Sequence, residues 1–185
     1  MPERLASLHA VESACWSELA RAVHDPDHPW RTPVLASYDG ERADARTVLL
    51  REIDRERREL LVYTDARAPK VMQLREYPRG TIVMWSHGLS WQMRLTVNLV
   101  VETDGLAVTS RWARLKLTPA AQDYLSPLAP GTPLTEHGRP PPSRAPLGSF
   151  AVISATVTAI DWLELSAAGH RRAVFDAAGA RWVQP

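Results

Sequence analysis

Residues 81–102 read TIVMWSHGLSWQMRLTVNLVVE, and this stretch decides the fold. Thr81-Ile82-Val83-Met84-Trp85 is a short run rich in β-branched residues. His87-Gly88 offers a turn, and Ser90 to Glu102 then alternates apolar with polar as a long partner. A period of two belongs to a strand with one buried face, so the stretch predicts a hairpin. A helical period fails across the whole of 44–103, because the β-branched alternation dominates.

Working outward, the same logic gives further short strands. Val34 to Tyr38 is an apolar run that Asp39-Gly40 turns. Ala45 to Arg51 reads as one strand, Asp54 to Arg58 as a charged turn, and Leu60 to Thr64 as the return strand. Pro69 to Tyr77 predicts a short helix, with proline at its entrance and Val71 and Leu74 on one side. Upstream, 4–23 predicts an amphipathic helix: Leu5, Leu8, Val11, Cys15, Leu19 and Val23 recur every three or four residues, and Pro2 suits its entrance. Downstream, 106–125 predicts a helix with Thr118-Pro119 as a cap signal inside it. Residues 126–148, including Pro140-Pro141-Pro142, predict a long irregular loop, either a plain surface connection or a lid over a site. Phe150 to Leu165, Arg171 to Phe175 and Ala180 to Val183 return to strand. The sum is a mainly β chain: one domain over 1–185, an antiparallel barrel of six to eight strands, with the helix and loop 1–28 in front and helices on one side.

Composition narrows the function. A chain of 185 residues suits one domain with a sizeable core. Lys+Arg number 22 against Asp+Glu 21, a net charge of +1, which lacks the basic excess of nucleic-acid binders. No apolar stretch is long enough for a transmembrane helix, and the start Met-Pro-Glu-Arg does not read as a signal peptide. Cys15 is the single cysteine and lies in the apolar stripe of the first helix, so a packing role and a reducing, cytoplasmic setting are expected. The tract His24-Asp25-Pro26-Asp27-His28-Pro29 reads as a capped, solvated turn; with no further ligand nearby, no metal is expected. Lys70 and Lys116 are the only lysines, which singles them out among the cations.

One constellation carries chemistry. Tyr63-Thr64-Asp65-Ala66-Arg67 leads to Lys70 at a helix start, where free backbone N–H groups favour an anion. Arg46, Arg67 and Lys70 are placed to converge there on one phosphate, with Thr64 adding a hydroxyl. Trp85 and Trp91 flank the hairpin turn, and Gln92 and Arg94 share one strand face. An amide that both donates and accepts suits the edge of a heterocycle.

These residues resemble a known family. Arg46-Thr47-Val48-Leu49-Leu50-Arg51, then Tyr63-Thr64-Asp65, then Lys70 with Leu74, then Trp85 and Trp91-Gln92-Met93-Arg94-Leu95 are similar to the pyridoxamine 5'-phosphate oxidase-like flavoproteins. Leu35-Ala36-Ser37, Trp162, His170-Arg171-Arg172 and Trp182 extend the likeness over about residues 29–185. The resemblance implies an FMN-binding split barrel working as a homodimer, with FMN at the interface. Carried over by position, Arg46, Lys70 and Arg67 would hold the FMN phosphate. Thr47, Val48 and Leu49 would line the ring with backbone groups, and Tyr63 and Thr64 would meet the ribityl chain and phosphate. Gln92 would bond the ring, and Trp162 would reach across from the partner chain.

The substrate half of the pattern departs from the authentic oxidase. Arg51 stands where a substrate-touching lysine is expected, and Trp112, Lys116 and Ala120 where Tyr, Arg and Ser would clasp a phosphate. Lost hydroxyls leave phosphate oxygens unpaired, which is costly. Arg51 and Arg94 then become candidates to orient a small anionic substrate. The expectation is an FMN-dependent oxidoreductase of unassigned substrate. The alternatives are the authentic oxidase, a non-catalytic ligand-binding protein, and a deazaflavin in place of FMN.

Overall fold

The computed structural model describes residues 4–134 and 149–185. Helix α1 spans Leu8–His24. It starts later than the periodicity suggests because Ser7 caps it, accepting a hydrogen bond from the Ala10 N–H at 3.1 Å; Pro2 lies outside the described residues. Val11, Cys15, Trp16, Leu19 and Ala22 form its buried face. Burial pushes the Cys15 thiol up, which suits an inert packing residue. The turn after α1 is capped, but not solvated throughout: His28 is buried, accepts the Trp30 N–H on Nδ1 at 3.1 Å, and sets Nε2 2.9 Å from Glu18.

Nine strands follow: β1 Val34–Tyr38, β2 Ala43–Thr47, β3 Leu50–Asp54, β4 Glu59–Asp65, β5 Arg79–Ser86, β6 Trp91–Glu102, β7 Phe150–Glu164, β8 Arg171–Asp176 and β9 Gly179–Val183. Helix α2 spans Pro69–Glu76 and α3 spans Gly105–Leu115. The β5–β6 hairpin forms as the alternation predicts, Trp85 facing Gln92 and Ile82 facing Leu95. Strand order is β2-β1-β5-β6-β7-β4-β3, with β8 on β7 and β9 on β8, all antiparallel.

Two expectations are corrected. The mainly antiparallel β fold with flanking helices is as expected, but the sheet is open and has nine strands among the described residues, where a barrel of six to eight was expected. The reason is that 45–51 is not one strand. Thr47 pairs with Val34 on β1 and Leu50 pairs with Val62 on β4, neighbours at opposite ends of the path, and the pairing is interrupted between them. Val48 and Leu49 leave the ladder to cross the gap, and Val48 gives its N–H to the Pro33 carbonyl at 2.9 Å. The predicted helix 106–125 is likewise two pieces, α3 and a 3-10 turn at Pro119–Tyr124. Proline forces the residue before it out of helical backbone, and Thr118 is extended (φ −115°, ψ 158°).

The inner sheet face buries Leu35, Ile82, Met93, Leu95 and Trp162 against α1. A second core lies on the other face of β4 and β7, where Leu61, Phe150 and Val152 meet Val108 and Leu115 of α3 and Tyr124. Gly80 permits the close approach of β1 to β5: a Cβ there would stand 2.7 Å from the Ala36 carbonyl oxygen and 3.0 Å from Leu99 Cδ1. Gly80→Ala is therefore expected to cost about 1–3 kcal/mol by overpacking, read as a lowered thermal midpoint; an unchanged midpoint would refute this close contact. Among the described residues no helix is long and apolar enough to cross a membrane. Of the predicted loop 126–148, residues 135–148 lie outside the described residues.

Candidate functional site

The site grows from the end of β4. Thr64 is buried and points to the inner face with Val62, because strand side chains alternate. The chain then turns: the Ala68 N–H bonds the Asp65 carbonyl at 3.0 Å, and the Ala66 N–H bonds the Ser149 carbonyl at 2.9 Å. Ala68 is extended (φ −65°, ψ 139°), so Pro69 opens α2 where its missing N–H costs nothing. No side chain caps this helix; Pro69 has no N–H and the Val71 N–H bonds the Ala68 carbonyl at 2.9 Å, so the anion-facing groups here are chiefly side chains.

Lys70 sits in that first turn, half-buried, with Nζ donating to Thr64 Oγ1 at 3.2 Å. It forms no ion pair among the described residues. Burial pushes its pKa down, and the nearby Arg46 charge pushes it further. Arg46 stands on β2, opposite Leu35, and donates to the Ser37 hydroxyl at 2.6 Å and to Gln73 Oε1 at 3.1 Å. It also pairs with Asp44. Gln73 lies on α2 one turn past Lys70, so α2 is tied to β2 through Arg46 and to β4 through Thr64. Arg46, Thr64 and Lys70 thus lie together at the start of α2. Two cations and a hydroxyl so grouped suit an anion such as a phosphate.

The remaining candidates fall elsewhere. Arg67 does not join the cluster; it turns back on Asp65, with Nε 3.0 Å from Oδ1 and Nη2 2.7 Å from Oδ2. Tyr63 faces away from Thr64. Its phenol donates to Glu52 and its ring meets Phe150 at 5.1 Å, and burial with that carboxylate pushes the phenol pKa up. Glu52 in turn holds Arg111 through two bonds of 3.1 and 3.0 Å. Thr47 is exposed, Val48 is a core side chain, and Leu49 lies between two strands without a ladder partner. What Val48 and Leu49 can offer a ligand is therefore backbone.

Gln92 and Arg94 project from the outer face of β6, opposite to Met93 and Leu95. Gln92 is three strands across and three residues along from Arg46, about 17 Å by strand geometry, and on the other face of the sheet. One chain does not bring them together. Arg94 reaches Asp161 at 3.5 Å, which Arg172 holds at 2.7 Å. Trp162 is fully buried in its own chain, 5.3 Å from the Trp91 ring and under the Arg171 guanidinium. Such burial corrects the expectation that it reaches a flavin across an interface.

Arg51 lies 5.7 Å above the Tyr63 ring, its Nε buried and without a partner among the described residues. Its charge opposes the upward push of burial on the Tyr124 phenol. Trp112 packs on Phe150 at 5.4 Å and Tyr124 at 6.4 Å, so it is part of the second core. Lys116 is exposed at the end of α3. Ser37 and Gln73 were missed by the sequence reading, although Gln73 follows Lys70 by one helical step; Asp65 was quoted without a role.

Comparison with known proteins adds to this geometry. Residues 13–103 match the family model for the pyridoxamine 5'-phosphate oxidase FMN-binding domain. No curated protein sequence matches. The fold is similar to a pyridoxamine 5'-phosphate oxidase-related, FMN-binding protein of Nostoc punctiforme, 20% identical with a TM-score of 0.72 over 99% of this chain and 100% of that one. It is also similar to PhzG of Burkholderia lata, solved with tetrahydrophenazine-1-carboxylic acid, at 15% identity and a TM-score of 0.71 over 100% and 95% of the two chains. At these identities the likeness is one of fold.

Proposed function

The chain belongs to the pyridoxamine 5'-phosphate oxidase-like FMN-binding family, and from that premise we propose that it is an FMN-dependent oxidoreductase acting as a homodimer on a small anionic substrate. The observation that carries the reading is Lys70: a half-buried ammonium that forms no ion pair among the described residues, set between Thr64 and Arg46 at a helix start, where burial and the Arg46 charge outweigh the help of the Asp65 charge. A buried cation without an ion pair is costly, and a phosphate relieves that cost. Lys70, Arg46 and Thr64 would hold the phosphate of FMN. The backbone at Thr47, Val48 and Leu49, free of the ladder beyond Thr47, would border the ring. Bound FMN supplies hydride transfer, which side chains do not provide.

The two faces of the sheet support the second copy. Gln92 projects from the outer face of β6 and Lys70 lies on α2 beside the inward Thr64, so this reading gives the ring contact of Gln92 to a partner chain. Arg51 supports the anionic substrate. Its guanidinium lies over the Tyr63 ring, and a guanidinium favours a carboxylate or phosphate.

An absorption spectrum of the purified protein, with mass identification of any released chromophore and sizing in solution, tests the reading. FMN at near one per chain in a dimer is the expected result. A colourless protein that takes up no added FMN overturns it. A bound flavin that no donor reduces would leave binding and remove catalysis.

A further inference from the structure

We propose that Arg67 is a positioning residue, a latch that holds segment 126–131 beside the start of α2 and so slows the escape of a ligand from Lys70. The proposal rests on the phosphate reading of the Lys70 cluster. Arg67 is not spare. Its own N–H and its Nε both bond Asp65 Oδ1, at 2.8 and 3.0 Å, and Nη2 takes Oδ2 at 2.7 Å. The fork also reaches three successive carbonyl oxygens: Nη2, shared with Asp65, lies 2.9 Å from that of Ser126 and 3.4 Å from that of Leu128, and Nη1 lies 3.2 Å from that of Pro127.

The Asp65 carboxylate is 7% exposed, so this is a partly desolvated pair whose charges cancel locally. A neutralised pair adds little pull on a phosphate, but it fixes the guanidinium plane. What the plane fixes is the segment. The Leu128 N–H bonds Ser126 Oγ at 3.2 Å and the Thr132 N–H bonds the Ala129 carbonyl at 3.1 Å, so the segment is folded on itself. Gly131 (φ +87°) brings it against α2: a Cβ there would lie 4.0 Å from Pro69 Cγ. Pro69 precedes Lys70 directly. The latch thus acts through the segment, one residue from the ammonium.

The test compares Arg67→Ala and Arg67→Lys with the unchanged protein. Three quantities are read: the dissociation rate of FMN, the ratio of FMN to riboflavin affinity, and hydrogen exchange at the Leu128 and Thr132 amides. Both variants are expected to release FMN roughly tenfold faster and to speed exchange at these amides by a similar factor, as loss of charge-assisted bonds predicts. Lysine does not rescue, because it lacks the fork. The FMN-to-riboflavin ratio stays as it was. A collapse of that ratio in Arg67→Ala overturns the latch and makes Arg67 a direct phosphate ligand. Unchanged FMN release, with or without faster exchange, also overturns it. If the unchanged protein binds neither flavin, the phosphate reading fails instead, and the latch on a bound ligand falls with it.

Discussion

Lys70→Met should bind FMN roughly 10- to 150-fold more weakly than the parent, a loss of about 1.5–3 kcal/mol for charged hydrogen bonds, while riboflavin affinity changes little. The contrast isolates the phosphate, since riboflavin lacks it. The substitution should not harm the fold. The ammonium is held in a position where burial and Arg46 both oppose its charge, and methionine has a similar length without that penalty.

The same two causes give the pH dependence a sign. The Lys70 pKa in the free protein lies below the ordinary lysine value of about 10.4. Between the depressed and the ordinary value, the unfolded chain therefore holds more protons than the folded one, and this group's effect on stability becomes more favourable as pH rises. Phosphate reverses the preference, because it stabilises the ammonium. FMN affinity should thus fall as pH climbs through the depressed value, before ordinary lysines titrate. Fluorescence titrations across that window should show the decline in the parent and a flatter profile in Lys70→Met. Equal profiles would remove Lys70 from the site.

Trp162→Ala is the second large effect, about 3–5 kcal/mol of folding stability by analogy with other buried aromatic truncations. Trp162 is 0% exposed and links Trp91, Trp182 and the Arg171 guanidinium. For a chain of this size such a loss lowers the thermal midpoint by roughly 6–20 °C. Trp162→Phe should cost far less, because the ring remains and the indole N–H it removes has no partner among the described residues. A calorimetric scan of both variants decides between a core residue and a ligand contact. If Trp162→Ala melted with the parent and lost only flavin, the core assignment would fail.

Much of this was legible in the sequence. The β5–β6 hairpin shows in the alternation of Trp91 to Leu99, because one face meets the core and the other does not. The grouping of Thr64 and Lys70 shows too, because a proline-led helix after a strand is a local signal. The break at Val48-Leu49 was not legible. Both residues are apolar and continue the run, and only the two distant partners of β2 and β3 force the chain apart. Arg67 was misread for a related reason. Its spacing from Lys70 suits a phosphate, but Asp65 two residues upstream holds its guanidinium, and its other partners, the carbonyls of 126–128, lie about sixty residues away and carry no side-chain signature. Trp162 was placed by resemblance, and burial in its own core depends on contacts that no local pattern encodes.

The strand order carries a kinetic consequence. Strand β4 lies beside β7, so Arg58 meets Val157, 99 residues further on. The hairpins β1–β2 and β5–β6 can close from local contacts, but β3–β4 has no inner neighbour until β7 exists. Loop closure over that distance is slow, and sheets dominated by such pairings fold in milliseconds to seconds. During synthesis, Thr64 and Lys70 are made early and assembled late. The half-built sheet waits with the β6 and β4 edges unpaired, the state most open to pairing with another chain.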